Sequence, residues 1–535
     1  MKRQLRYFAV VSVLLMMFAS SCSDNFLTET VEDQYSTDIT DRESLRAGLI
    51  LMYEATSNFY SKADQQGWPA LWNVGTDVAW PIQAQGVEIP FYRYDNLTSD
   101  NYAASWMWNW EYDIIENANN VINNIENNGM AIEGMTEQLL AEYNAEARFF
   151  RAKAYEELAT LFGGVPIVTE PITEPKFDFV RADLAEVNAL IEEDLLFAVE
   201  NLPDLGQTEH EQRVSNAAAS QLLAKSYLRT GKYEEAEAQA DRVINNPNIS
   251  LVDTRYGVKV DQPGDPFSDM FWKGNMRRSQ GNTEAIWVLE MENPSDVRGG
   301  STGAPQQRRV WQGSYHSRNG LIPAEDLGGR GIARLRLNNW VLYDLYDDDD
   351  MRNSEHNILR RHTYNDPNHE LFGEPVPYEG PDTLFILTPY TMKWKHFDPR
   401  DTFGWGMWKD FILMRLGETY LLKAEAQLMQ NNPGGAAATI NILRDRANAP
   451  TVSAGDIDLD FILDERAREL LAEENRRMEL MRTKTLVDRV HLNYGAPEGS
   501  RVEGIRDENL LFPIPVSEIR LNRDGDMPQN PGYSN

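Results

Sequence analysis

One cysteine, Cys22, is all that the 535-residue sequence contains, so no disulfide can form within the chain. Histidine is sparse too. His356, His362 and His369 stand six and seven residues apart, which does not put two of them on one helix face as a metal pair requires. Positive charge is in deficit: 51 Lys and Arg stand against 83 Asp and Glu, a formal net charge of −32. A field of that sign repels nucleic acid and anionic membrane surfaces. It also disfavours a strongly acidic polymer as ligand unless a local basic pocket exists, so neutral sugars are the better first expectation among glycans. Beyond the N-terminus no apolar run approaches the roughly 18 residues that a membrane-spanning helix needs. The H-E-x-x-H and G-x-x-x-x-G-K-[ST] signatures are absent. With no such motif, the sequence offers no catalytic residue, metal site or cofactor. The abundance of carboxylates is no argument for a glycosidase, because among 83 some pair must lie close together.

What is present begins at the N-terminus. Lys2, Arg3 and Arg6 precede a run, Tyr7 to Phe18, that is apolar apart from Ser12 and too short to cross a bilayer. Ala19, Ser20 and Ser21 then lead into Cys22. Small residues before a cleavage point mark an export signal. One ending on the sole cysteine reads as a bacterial lipoprotein signal, residues 1–21, with Cys22 acylated after cleavage. Ala19 departs from the Leu more usual there. Several acyl chains, at about 0.8 kcal/mol per buried methylene, hold a protein on a membrane. Residues 22–39 are polar and read as a tether.

Residues 40–249 show helical periodicity. Thr40 and Glu43 have capping-box spacing ahead of Leu45, Leu49 and Met52. Residues 60–105 lose the period and are rich in rings: Trp68, Trp72, Trp80, Phe91, Tyr92, Tyr94 and Tyr102. A helix resumes near Trp106, and a long one spans Thr136 to Phe162 before Gly163, Gly164 and Pro166 stop it. Another covers Asp183 to Glu200. Leu223, Ala224, Tyr227, Gly231, Tyr233, Ala236, Ala240 and Val243 then match a tetratricopeptide-like helix pair. In residues 411–535, Leu413, Leu416, Gly417 and Tyr420 repeat its first half, and Ile440, Leu443 and Ala447 continue the second. Two more helices are expected across Ile457 to Leu492. Residues 250–410, rich in Gly, Pro and aromatics, read as an irregular excursion on the scaffold. The acidic run Asp347 to Asp350 lacks the glycine turn of a calcium loop and reads as a solvated helix end. The expected fold is all-α in the main, a tetratricopeptide-like helical repeat carrying a loop-rich excursion.

Six segments in order resemble the SusD/RagB family. They are AEARFFRAKAYEELATLFGGVPIV from Ala145, AASQLLAKSYLRTGKYEEAEAQADRVI from Ala218, MRLGETYLLKAEA from Met414, INILRDRAN from Ile440, ERARELLAEENRRMEL from Glu465, and the tail LLFPIP with QNPGY. The charged helix from Glu465 departs from the family at Glu474, Arg477 and Glu479, where Gly, Trp and Asp are usual. The resemblance implies a SusD-like fold and a lipoprotein on the outer face of a bacterial outer membrane. It implies a binding protein that presents oligosaccharide or polysaccharide to a TonB-dependent barrel transporter of the SusC type and has no catalytic residues. RagB-type relatives imply peptide uptake instead. A tetratricopeptide-like protein scaffold and a surface glycosidase are the remaining readings.

The family draws its glycan contacts from two loop regions, which correspond here to residues 60–105 and the excursion. Sugars pack their C–H faces on rings and need polar partners for their hydroxyls. In NVGTDVAWPIQAQG, Asp77 and Trp80 combine a carboxylate with a ring; in RRVWQGSYHSRNG, Trp311, Tyr315 and His316 lie among glycines and arginines. Asp77, Trp80, Trp311 and Tyr315 are the candidate ligand contacts. Aromatics on regular helix faces, Tyr143, Phe149, Phe150, Tyr155, Tyr227 and Tyr420, are expected in the core.

Overall fold

Helices start in this protein where a side chain can close the first turn. The computed structural model describes residues 39, 41–62, 68–298, 305–378, 384–493 and 502–534. The signal, Cys22 and most of the tether therefore lie outside the described residues. Helix α1 (Arg42–Ser61) is capped by Asp41, whose carboxylate accepts from Ser44 N at 2.8 Å, so the cap sits one residue beyond the expected Thr40. Asn101 caps α2 (Tyr102–Asn128), and Thr136 caps α3 (Glu137–Phe162). Gly163 ends α3 at φ +78°, a backbone state that glycine adopts without strain. Glu186 reaches back to the Asp183 N–H at the start of α4 (Leu184–Asn201). Helices α5 (Asn216–Thr230) and α6 (Tyr233–Ile244) turn on Gly231.

The excursion follows, with only the short helices α7 (Pro266–Asp269), α8 (Gln307–Trp311) and α9 (Asn339–Tyr343). Its strands form two-stranded antiparallel pairs. β1 (Ala79–Pro81) pairs with β3 (Leu335–Leu337), β2 (Ala285–Leu289) with β6 (Phe411–Arg415), and β4 (Ile358–Leu359) with β5 (Tyr390–Thr391). The helical array resumes with α10 (Leu416–Met429) and α11 (Pro433–Arg446), then α12 (Leu459–Glu469), α13 (Arg476–Arg482), α14 (Leu486–Asn493) and α15 (Val516–Leu521).

In space the array is unbroken. Each helix from α1 to α6 packs on the next, α6 packs on α10, and α10 packs on α11 and α12. The excursion thus leaves and re-enters one helical stack. Ala218, Ala219, Ala224, Ala236 and Ala240 are buried and let backbones approach closely; Tyr227 fills the gap beside them and hydrogen bonds Glu192 at 3.3 Å. Phe149 and Phe150 meet Trp287 of β2 edge-on at 5.6 and 5.9 Å, fastening the excursion to α3. Five of the six aromatics expected in the core are buried; Tyr420 is half-buried.

Two expectations change. The segment from Glu465 is two helices, α12 and α13, separated by a turn in which Ala472 takes φ +61°. The break turns both stretches of charge inward. Arg415 pairs with Glu284, Glu469 and Glu473; Arg446 with Glu284 and Glu469; Arg466 with Glu418, Glu474 and Glu479. Glu474 and Glu479, two of the family departures, are thereby accounted for. The third, Arg477, is buried and donates to the carbonyls of Leu71, Val74 and Phe91. The acidic run is also not solvated throughout. Asp350 is buried against Arg352 at 2.7 Å, and Asp347 takes Arg444 at 2.8 Å.

Candidate functional site

The four residues singled out from the sequence are all buried. Asp77 accepts from Arg476 at 2.9 and 2.6 Å and from Arg489 at 3.0 Å. Burial alone would push its carboxyl up, but the two guanidiniums hold it below the ordinary value. Asp77 thus ties the loop before α2 to α13 and α14. Trp80 lies in β1 opposite Arg336, whose guanidinium is 5.6 Å from the ring centre. Tyr315 donates to the Gly329 carbonyl at 2.6 Å and stacks on Tyr390. Trp311 is 2% exposed at the end of α8. What the structure shows of these four is packing and ion pairing.

Two hollows open among the described residues. One of about 500 Å³ over α1 is lined by Leu49, Ile50, Tyr53, Glu146, Arg213 and Trp287. Its polar groups satisfy one another, since Arg213 pairs with Glu146 and Tyr53 donates to Glu146 at 2.5 Å. A second, of about 190 Å³, lies between scaffold and excursion, with Trp72, Trp311 and Trp394 in its walls. Its lysines are paired, Lys153 with Glu157 and Lys225 with Glu418 and Glu479.

The excursion carries exposed rings on a loop bonded to α8 and touching His316. Trp405 is 64% exposed and Phe403 57% exposed, on the loop Phe403-Gly404-Trp405-Gly406. Arg308, on α8 beside Trp311, is buried and donates to the carbonyls of His396 at 2.9 Å and Gly404 at 2.7 Å. Arg330 donates to the Phe403 carbonyl at 2.7 Å. These bonds fix the loop that carries both rings. Gly329 makes the close approach possible: it sits at φ +87°, and a Cβ there would lie 2.1 Å from the His396 carbonyl oxygen. The Arg309 guanidinium lies 5.0 Å from the Trp405 ring centre, and His316 meets Phe403 edge-on at 5.9 Å. Burial and Arg330 together push His316 down to about 4, so its ring is neutral at neutral pH. Burial and the repulsion of Arg330 and Arg334 push Arg309 down to about 10.

The rim therefore combines two open ring faces with guanidinium and imidazole donors. That is the pairing a sugar ring needs: C–H stacking on an aromatic, and polar groups at its edge. Sequence reasoning singled out rings in RRVWQGSYHSRNG that the structure buries beside this rim. Trp405 carried a readable signal, an aromatic between glycines, yet the arginines that face it are nearly a hundred residues away.

Comparison with known proteins bears on this arrangement. The family described as "SusD family" matches residues 387–533, and that described as "Starch-binding associating with outer membrane" matches residues 25–228. SusD-like protein P25 of Formosa agariphila is 24% identical, over 96% of each chain. Starch-binding protein SusD of Bacteroides thetaiotaomicron is 39% identical over 23% of this chain and 22% of its own. Among solved structures, a laminarin-binding SusD-like protein superposes with a TM-score of 0.69 at 24% identity, covering 92% of this chain and all (100%) of that one. A SusD homologue from Bacteroides thetaiotaomicron gives 0.70 at 20% identity, covering 92% and 98%. The chain is thus similar to SusD-type proteins in its N-terminal and C-terminal parts and shares their fold.

Proposed function

We propose that this SusD-like chain captures an oligosaccharide or polysaccharide at the bacterial cell surface, on the rim of Trp405 and Phe403, and passes it without chemical change to a TonB-dependent outer-membrane barrel. The single observation that carries the reading is a pair of exposed rings held rigidly, by arginine-to-carbonyl bonds, over a packed support. An exposed ring on a fixed loop costs little ordering entropy when a ligand stacks on it. Trp311 and Tyr315 act in this reading from below: Trp311 seats the helix bearing Arg308 and Arg309, and Tyr315 holds the Gly329 turn. The family description names starch and the outer membrane, and one structural neighbour is named for laminarin; both favour glycan over peptide as cargo. Anchoring by an acylated Cys22 remains the expectation from sequence, since Cys22 lies outside the described residues.

The test is affinity electrophoresis on a glycan panel that includes starch and laminarin, followed by Trp405→Ala on whichever glycan retards the protein. The variant is expected to bind at least about tenfold more weakly, a loss of roughly 1.4 kcal/mol, with an unchanged melting temperature. Retardation by no glycan, together with calorimetric binding of peptides, would replace this reading with peptide uptake. Cys22→Ala is expected to abolish fatty-acid labelling and surface display.

A further inference from the structure

Resting on the glycan reading just given, we propose that the ligand is an acidic glycan, carrying carboxylate or sulfate groups that meet Arg309 and Arg330 while a sugar ring stacks on Trp405. The grounds lie in how this protein treats its other arginines. In the seam around α12 and α13, Arg352, Arg415, Arg446, Arg466 and Arg482 each hold at least two carboxylates. The rim gathers three guanidiniums, and among the described residues none of them has a carboxylate at ion-pair distance. Arg308 is bonded to two carbonyls, Arg330 to one, and Arg309 to the Gln306 amide oxygen at 2.7 Å. Asp401, on the ring-bearing loop, is the nearest acid to act on Arg308, and it stays outside ion-pair range. The other acids near the loop, Asp296 and Asp398, are engaged by Arg400 at 2.7 Å each.

Arginines with no carboxylate at ion-pair distance occur elsewhere among the described residues, as at Arg477 and Arg360, but the rim sets three guanidiniums together. Arg309 and Arg330 are close enough to repel each other. The Nε atoms of both, and His316 Nδ1, are shielded from water with no hydrogen-bond partner among the described residues. Mutual repulsion costs stability, and an anion docking on the outward nitrogens of the two guanidiniums would relieve it through charge-assisted bonds. A neutral sugar would supply hydroxyl acceptors but leave the repulsion standing. The protein's overall negative field does not forbid this, because it is screened within about 8 Å at physiological ionic strength whereas contacts at the rim are direct. The expectation of a neutral glycan, drawn from net charge alone, gives way to the local arrangement.

The probes are polygalacturonate, its fully methyl-esterified form, a sulfated galactan, the same galactan after chemical desulfation, and starch and laminarin as neutral references. Retardation of the intact protein by one acidic polymer is expected, weakened at least about tenfold by esterification if the anion is a carboxylate, or by desulfation if it is a sulfate ester. Arg309→Gln and Arg330→Gln are each expected to weaken binding to that polymer at least about tenfold, with Arg309→Lys recovering part of the loss and all three retaining the wild-type melting temperature. Binding of a neutral reference that needs Trp405 but is unmoved by Arg309→Gln and Arg330→Gln would overturn the acidic assignment and keep the glycan reading. Retardation by none of the six polymers would overturn both.

Discussion

Two sets of arginines divide this molecule. Along α12 and α13 the guanidiniums, Arg477 with its three carbonyls excepted, are buried in a lattice of carboxylates contributed by segments far apart in sequence, such as Glu284, Glu418 and Asp77. At the rim of the excursion, Arg308, Arg309 and Arg330 meet carbonyls, an amide and a ring. The first set closes a structure; the second leaves charge available. Desolvating an ion is expensive, and a partnered ion recovers most of that cost from its counter-ion. A cluster that forgoes counter-ions keeps its electrostatic capacity for something that arrives from outside. The contrast separates arginines that hold the fold from arginines that present to a ligand, and it can be broken from either side.

The largest effect is expected at Asp77. Asp77→Asn preserves shape but withdraws the negative charge shared by Arg476 and Arg489, both buried. Arg476 keeps Glu474, and Arg489 keeps Asp460 and Asp464, so the loss is expected near the lower end of the range for a broken buried pair, about 3 kcal/mol, to be read from the denaturant midpoint at constant slope. A midpoint equal to the wild type's would show that the seam's ion pairs do not bear the stability assigned to them, and the contrast would collapse.

Acid titration should give a somewhat smaller and more distributed loss. Burial pushes the carboxyls of Glu469 and Glu479 up, but Arg446, Arg415 and Arg352 around the first, and Arg466, Lys225 and Arg482 around the second, hold both well below the ordinary value of 4.5. Folded values lower than unfolded ones mean that the unfolded chain takes up more protons in acid. The stabilisation is therefore complete above about pH 4.5 and drains away as pH falls below it toward the folded values. Arg309→Gln and Arg330→Gln should leave this acid limb unmoved, because among the described residues the rim arginines have no carboxylate at ion-pair distance. A shift of the limb in either variant would place the rim in the seam's network.

The same contrast explains what could be read from sequence. Helix α3 was legible because its period, its Thr136 cap and its Gly163 stop are all local. So was the pair α5 and α6, through alanines and Tyr227 at fixed spacing. The packing of α6 on α10 was not, because it spans the whole excursion. Asp77 and Trp80 looked like a ligand site since a carboxylate next to a ring reads alike whether exposed or buried. The arginines that claim Asp77 lie 399 and 412 residues onward. Trp311 and Tyr315 lie beside the rim, but the exposed ring itself enters from a distant loop. The family departures at Glu474, Arg477 and Glu479 likewise acquire meaning only when their partners are in view.

The smallest effect is the sharpest test. Arg309→Gln removes a cation that Arg330 and Arg334 repel and that no described carboxylate neutralises. What it forfeits is the contact with Trp405, worth about 0.5–1 kcal/mol at an exposed site, and the bond to Gln306, for which the new amide can substitute in part. What it gains is relief from like-charge repulsion of similar size. The net change in stability is expected within about 0.5 kcal/mol of zero, the range of an ordinary surface substitution. Arg415→Gln, run alongside, strands Glu284, Glu469 and Glu473 and should cost several times more, about 3–5 kcal/mol. If the two variants fell by the same amount, Arg309 would belong with the arginines that hold the fold. A near-zero change at Arg309, set against a large one at Arg415, would mean that the rim's charge is dispensable to folding and is kept for what binds there.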